Sequence, residues 1–229
     1  MSAEFELLKE RIERLRRIHL QAMSSFCIYE ELQEYRAPNI QGQELAQLHA
    51  QAVGVYRGFF NIVEKALNTE LHLSVAKLFD SHKDALHIER LVNYAEQNQT
   101  ILTNAQKADL DEDDNYSSEL ATVYEGLSRS DLLEIRDKLA VAEDKINRLK
   151  IVRDKEVAHI NISTPEIKYL TYEEFAELID LSEKILNLVS RKIYGDVAWF
   201  EPYKDEVTEG TQGLLRLVEK SYGITTRKD

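Results

Sequence analysis

Glycine and proline are scarce in this sequence: its 229 residues include only 8 glycines and 3 prolines. Because these residues form turns and end helices, their scarcity predicts a few long segments and disfavours all-β architectures. The single cysteine, Cys27, cannot form a disulfide within the chain and fits a reducing compartment. No apolar run approaches the ~20 residues that span a bilayer, and the first residues lack the basic and apolar regions of a signal peptide. We therefore expect a soluble, cytoplasmic protein with no membrane contact.

Basic residues are also scarce relative to acidic ones: the chain has 29 Lys and Arg and 41 Asp and Glu, which gives a formal net charge of −12. Nucleic acids are bound through Lys and Arg side chains that replace phosphate counterions, so this balance disfavours binding through bulk electrostatics. Any contact with RNA must therefore come from a local cationic site or through a basic partner. Hydrophobic residues make up 43% of the chain, enough to fill a core.

Apolar residues recur at helical spacing along most of the chain. One helix is expected at the start, with its stripe at Phe5, Leu8, Ile12, Leu15, His19, Ala22, Phe26 and Tyr29. A second is expected from residue 43 to 66, continuing to 78, with its stripe at Leu45, Leu48, Ala52, Val55, Phe59 and Val63. Small residues on one side of the second helix predict close approach of another helix: Ala46, Ala50, Gly54 and Gly58.

The second half of the chain repeats this pattern after an interruption. Residues 98 to 115, rich in Asn, Gln, Thr and Asp, are predicted to form a long acidic loop. Helices follow from 131 to about 157 and from 172 to 193, and Thr171 with Glu174 fits a capping box at the second start. Trp199 and Phe200 are expected to pin the tail to the bundle.

These patterns predict the fold class: an all-α protein, built as a single antiparallel bundle of four to six helices. The bundle is expected to span residues 1–195. Residues 196–229 are expected to form a C-terminal helical extension that packs on it.

One residue breaks the apolar pattern of the helix from 131 to 157. Its stripe runs through Leu132, Ile135, Leu139, Ala142, Ile146 and Leu149, and the next member is Arg153. A helix turns by about 100° per residue, which points Arg153 along the apolar face. Arginine is almost never fully buried unless it is paired or faces a partner or cleft. The break therefore marks a candidate site.

The residues after Arg153 add chemistry to this candidate. Asp154, Lys155, Glu156 and His159 follow within six positions. Histidine can exchange a proton near neutral pH, and arginine can bind phosphate and stabilise charge that develops on it. Together they suffice for metal-free cleavage of RNA, in which the ribose 2′-hydroxyl attacks the neighbouring phosphate. One copy of this Arg–His pair supplies few groups for an active site. Two copies across a symmetric dimer would make a plausible site.

The run from Arg153 to His159 resembles the signature of the HEPN superfamily, an arginine followed by four to six residues and then a histidine near a helix end. Arg153-Asp154-Lys155 with Ala158-His159 is most similar to the branch related to the abortive-infection U proteins. The segment Ala76-Lys77-Leu78-Phe79-Asp80 also resembles that branch.

This resemblance implies a homodimer whose two Arg–His motifs share one cleft, and a metal-independent endoribonuclease acting as a toxin or phage-defence effector. RNA is the implied substrate, and an antitoxin is an implied partner. We assign proton transfer to His159 and phosphate and transition-state binding to Arg153. Asp154 would orient one of them, and Lys155 would add local positive charge. No cofactor and no metal is expected.

Two alternatives remain open from the residues. Arg153 could instead pair with a buried acid such as Glu156 while His159 caps the helix C-terminus. The whole chain could be a non-catalytic helical interaction module, in which case its negative charge would suit a basic protein partner. Two Asp/Glu-x-x-His pairs, Glu156 with His159 and Asp84 with His87, have metal-ligand spacing but lack matching core carboxylates on other helices.

Overall fold

The structure is a computed structural model, and it describes residues 3–98, 126–154, 168–195 and 197–223. Within these ranges the secondary structure is helical and no strand is present. The predicted all-α fold class is confirmed. The helices are α1 (Ala3–Glu34), α2 (Pro38–Gln41), α3 (Gln43–Val55), α4 (Arg57–Leu78), α5 (Ile88–Gln97), α6 (Arg129–Val141), α7 (Glu143–Val152), α8 (Tyr172–Tyr194) and α9 (Glu201–Tyr222).

The chain divides into two compact units. Unit 1 comprises Met1–His19 and His72–Trp199, and unit 2 comprises Leu20–Leu71 and Phe200–Asp229. The core of unit 1 is aliphatic, and its most completely buried side chains include Leu8, Leu15, Leu91, Leu149 and Leu186. The candidate residues around Arg153 belong to this unit. The predicted bundle over 1–195 with an extension over 196–229 stays a prediction.

Unit 2 has its own core of Leu32, Tyr35, Ala52, Val53, Phe60, Leu215 and Val218. His49 is buried in it, stacked on the ring of Tyr35, and its Nδ1 lies 2.8 Å from the Tyr35 carbonyl oxygen. Its Nε2 lies 3.0 Å from the Glu219 carboxylate. Unit 2 therefore keeps a polar cluster inside an otherwise apolar core.

The predicted stripe of α1 is confirmed over its first six positions, from Phe5 to Ala22, all of which are buried. His19 belongs to this stripe although it is polar, because its Nδ1 lies 2.8 Å from the Ser182 hydroxyl, which in turn donates to the Ile179 carbonyl. Burial lowers the pKa of His19 to about 4, so the ring is neutral at pH 7. The histidine is therefore a core residue of unit 1.

The predicted helix from 43 to 78 is interrupted. At Tyr56 the backbone N–H bonds to the Val53 carbonyl, three residues back, and this tighter turn separates α3 from α4. Val55 and Phe59, predicted as core residues, are 61% and 58% exposed, while Val53 and Phe60 are buried. The predicted stripe was therefore wrong on both sides of this junction, at Val55 in α3 and at Phe59 in α4.

Two predicted packing contacts are also wrong. A Cβ built on Gly54 or Gly58 would meet no atom within 4 Å, so no helix approaches the small-residue face at these positions. Trp199 is 78% exposed and therefore does not pin the tail, although Phe200 is buried. The capping box of Thr171 with Glu174 is confirmed at the start of α8. The predicted acidic loop, after Asn98, lies outside the described residues.

Candidate active site

Arg153 caps the C-terminal end of α7 with helical backbone angles, one residue beyond the last buried position. The side chains of Ile146, Leu149 and Val152 are buried along the helix, whereas 22% of the Arg153 side chain remains exposed. The arginine therefore lies at the edge of the apolar face and not inside it. This position leaves the guanidinium within reach of both protein acceptors and solvent.

Two carboxylates hold this guanidinium. Nη1 of Arg153 donates to Oδ2 of Asp80 at 3.1 Å, and Nε donates to Oδ1 of Asp154 at 2.7 Å. The bond to Asp154, opposed by burial and supported by Asp80, raises the pKa of Arg153 above its usual value. Both carboxylates belong to the same chain as Arg153. Glu156, the partner named in the alternative interpretation, lies outside the described residues.

Asp80 follows the last turn of α4 and organises the loop that begins there. Its Oδ1 accepts hydrogen bonds from the backbone N–H of Ser81 at 2.7 Å and of His82 at 3.1 Å. Burial alone would raise the pKa of Asp80, but these two N–H groups and Arg153 outweigh it and hold the pKa below its usual value. The carboxylate is thus ionised at neutral pH and fixed from both sides.

A second cation of α7 contacts the same loop. Nζ of Lys150 donates to the Ser81 hydroxyl at 3.1 Å. Lys150 and Arg153 are three residues apart, a spacing that puts both on one side of a helix. Asp80 and Ser81, adjacent in sequence, therefore each hold one cation at the C-terminal end of α7. We call Asp80, Ser81, Lys150 and Arg153 the cation cluster.

The cation cluster joins the two segments on which the resemblance to a known family rests. Asp80 ends the segment 76–80, and Arg153 begins the motif 73 residues later in the chain. The HEPN_AbiU2 family model, described as AbiU2, matches the chain over residues 5–212. The chain belongs to the HEPN_AbiU2 family. No curated protein and no solved structure matches the chain.

Membership in the HEPN_AbiU2 family makes the chain a HEPN protein of an abortive-infection branch. The described residues contain two of the four predicted site residues, Arg153 and Asp154, and the structure brings them together. Lys155 and His159 lie outside the described residues. Their predicted roles stay predictions.

Asp80 and Ser81 were missing from the predicted site. The signal for Asp80 was present, because it is the last residue of the family-like segment, but nothing in the sequence pairs it with Arg153. Lys150 was missed because a lysine on an amphipathic helix normally faces solvent. These residues are identified only by the tertiary structure, in which the loop after α4 contacts the C-terminal end of α7.

A homodimer with Arg153 at its two-fold axis predicts that the other chain partly covers the neighbouring Leu149, and this prediction is wrong. Leu149 is already completely buried within its own chain, so a second chain has no surface of it left to cover. Val157, the other flanking residue, lies outside the described residues.

A cavity of about 410 Å³ adjoins the cation cluster. It lies between the end of α4 and the helices α5, α6 and α7, and Asp80, Ser81 and Lys150 belong both to its wall and to the cluster. Apolar side chains from all four segments line it together with polar ones: Phe79, Val92, Leu139 and Ile146, and Asn93, Arg136, Asn147, Glu89 and Glu143. Its volume falls within the range of about 300–1,000 Å³ that small-molecule sites occupy.

His87, beside this loop, has a structural role. It is the N-cap of α5, and its buried ring accepts the Arg90 backbone N–H at Nδ1 over 3.3 Å. Burial lowers the pKa of His87, in spite of the Asp80 and Glu89 carboxylates nearby. Within the described residues no group of three or more His, Cys, Asp or Glu side chains is placed to hold a metal. Of the Asp84-x-x-His87 pair, His87 therefore serves as a helix cap.

The arginine-rich stretch of α1 is engaged in local contacts. Arg14 pairs with Glu10 at 2.5 Å, Arg16 pairs with Glu13 at 2.8 Å, and Arg11 lies 4.0 Å above the ring centroid of Tyr94. Such pairs and stacking account for these arginines without a ligand. Among the described helices, none combines the length and the apolar character needed to cross a bilayer.

Proposed function

We propose that the chain is a metal-independent endoribonuclease that acts as a toxin or phage-defence effector. The observation that carries this proposal is the fixed guanidinium of Arg153, held by Asp80 and Asp154 at the start of the Arg–His motif. The bonds that Arg153 makes to described residues use Nε and Nη1 and not Nη2. A phosphate oxygen could bond to Nη2 without displacing either carboxylate.

In the proposed reaction the ribose 2′-oxygen forms a bond to phosphorus, and the bond from phosphorus to the 5′-oxygen breaks. The proton of the 2′-hydroxyl passes to one His159, and the 5′-oxygen takes a proton from the other His159 of a dimer. Cyclic 2′,3′-phosphate and 5′-hydroxyl ends result. Arg153 stabilises the added negative charge on the phosphorane, Asp154 orients Arg153, and Lys155 contributes positive charge.

The homodimer is part of this proposal, because one chain supplies only one histidine in the motif. Two bare guanidiniums facing each other across a cleft would repel. In this chain each guanidinium brings its own carboxylates, Asp80 and Asp154, so two copies can approach at a lower electrostatic cost. Light scattering on dilute protein tests the assembly, and a monomer at micromolar concentration would contradict it.

The activity is tested by incubating purified protein with mixed single-stranded RNA in the presence of a chelator. We expect cleavage that leaves cyclic phosphate ends and is lost in Arg153→Ala and in His159→Ala. Arg153→Lys keeps the charge but loses the planar fork, and is expected to retain only part of the activity. Arg14→Ala is the matched control, since Arg14 is an exposed, carboxylate-paired arginine of the same unit. Absence of cleavage, or cleavage that survives both alanine substitutions, refutes the proposal.

Growth of cells that overproduce the protein separates this function from the alternative of a non-catalytic module. A ribonuclease toxin slows growth, and the His159→Ala variant relieves the effect. A module that binds a basic protein leaves growth unchanged and co-purifies with that protein. An antitoxin, if the chain has one, is expected to restore growth when it is produced alongside the wild type.

A further inference from the structure

We propose that the 410 Å³ cavity beside the cation cluster is a nucleobase subsite, and that Lys150 binds the phosphate next to the scissile one. This inference rests on the proposed ribonuclease function and gives it a substrate class: single-stranded RNA with an unpaired base beside the cleaved bond. It names residues outside the Arg–His motif.

The cavity adjoins the residues that would hold the RNA backbone. Asp80 fixes Arg153, Ser81 accepts from Lys150, and both residues also line the cavity. A strand whose scissile phosphate bonds to Arg153 would therefore place its neighbouring nucleotide at the cavity. Lys150, on the same side of α7 as Arg153, is the cation within reach of the next phosphate, on the other side of that nucleotide.

The side chains that line the cavity suit a nucleobase. Asn93 and Asn147 each offer an amide donor and acceptor, the groups that pair with base edges. The guanidinium of Arg136 is held by both oxygens of the Glu96 carboxylate, and a fixed guanidinium plane is a surface on which an unpaired base stacks. Apolar walls such as Val92 and Ile146 suit the faces of a base.

The charges of the lining distinguish a base from a phosphate. Glu89 and Glu143 also line the cavity, and carboxylates repel a phosphate group placed among them. The cations that can hold phosphate are Lys150, at the edge that the cavity shares with the cation cluster, and Arg153, and both are attached to the Asp80–Ser81 loop. The arrangement thus favours an uncharged base in the cavity and the sugar–phosphate backbone along the cluster.

Binding is measured directly with short, fluorescently labelled 2′-fluoro RNA oligonucleotides of A, U or C, which lack the attacking hydroxyl and cannot be cleaved. We expect the full-length wild type to prefer one base. Ala140→Phe, at an exposed position that lines the cavity, is expected to abolish the preference and to weaken binding about tenfold, the loss of one stacked base. Ala50→Phe, the same change at an exposed position of unit 2, is the control.

Lys150→Ala gives an independent readout. Losing one phosphate contact should weaken the binding of all three oligonucleotides alike and reduce the slope of log K against log salt by about 0.7. Asn147→Ala should change the base preference and leave the salt slope unchanged. Thermal melts of each variant establish that it is folded.

The outcomes separate the subsite from the proposed function. If the wild type cleaves RNA but shows no base preference, or if Ala140→Phe and Lys150→Ala bind as the wild type does, the subsite is refuted and the function stands. If the wild type cleaves no RNA but shows a base preference that Ala140→Phe removes, the function fails and the subsite stands. Absence of both cleavage and binding refutes both.

Discussion

Replacing Asp80 by asparagine tests the contact on which the candidate site depends. The amide oxygen can still accept the N–H groups of Ser81 and His82, so the change removes mainly the charge opposite Arg153. Hydrogen bonds to charged groups contribute about 1.5–3 kcal/mol, and exposed ion pairs about 0–1 kcal/mol. With side chains 19% and 22% exposed, the Asp80–Arg153 pair falls between these cases. We expect Asp80→Asn to lower the free energy of unfolding by about 1–2 kcal/mol.

Urea denaturation measures this loss, and a thermal melt should show a fall of about 2–4 °C per kcal/mol for a chain of this length. A double-mutant cycle with Arg153→Met isolates the pair and should give a coupling of about 1 kcal/mol. Asp84→Asn is the control, because this aspartate is in the same loop with its side chain 74% exposed; its effect should stay within about 0.5 kcal/mol.

The pH dependence of the same variant has a definite sign. The folded-state pKa of Asp80 is held below its usual value, so its stabilisation is present above the unfolded pKa of about 3.9. It is lost as the pH falls through the folded value. The stability difference between wild type and Asp80→Asn should therefore shrink in acid. Equal stability of the two proteins at pH 7, with no coupling to Arg153, would refute the reasoning.

Three further predictions concern unit 1 and the cysteine. Arg148, together with the Thr171 backbone N–H, lowers the pKa of Glu174 to about 2; its stabilisation should be lost between about pH 4.3, the unfolded value, and pH 2, and Glu174→Gln should flatten the acid limb of the stability profile. Leu149→Ala should cost about 2–5 kcal/mol at any protein concentration, because Leu149 is completely buried within one chain; a concentration-dependent loss would point to an interface instead. Burial raises the pKa of the Cys27 thiol to about 11, so a thiol reagent at pH 8 should label it only after unfolding, and rapid labelling of the folded protein would contradict its burial.

Local spacing was sufficient to predict several features of this chain. Scarce glycine and proline, with apolar residues at helical intervals, predict the all-α class. The α1 stripe and the Thr171 capping box follow from spacing alone. Arg153 stood out because it interrupts an apolar stripe, and the structure does place it at a polar cluster. These features depend on neighbours within about one helical turn, which the sequence records directly.

Spacing failed along the predicted helix from 43 to 78. Val55 and Phe59 are exposed while Val53 and Phe60 are buried, and the tighter turn at Tyr56 separates Phe59 from the stripe that begins in α3. A pattern read across such a turn keeps the wrong phase, because about 100° per residue applies only while the helix continues.

Sequence spacing alone is therefore enough to predict the helical class, the anomalous arginine and the family-like segments. Tertiary structure alone decided which carboxylate meets Arg153, that Ser81 holds Lys150, and that four segments enclose a cavity beside them. The physical reason is distance along the chain. Asp80 and Arg153 are 73 residues apart, and nothing local in the sequence pairs this one of the 41 acidic residues with the guanidinium.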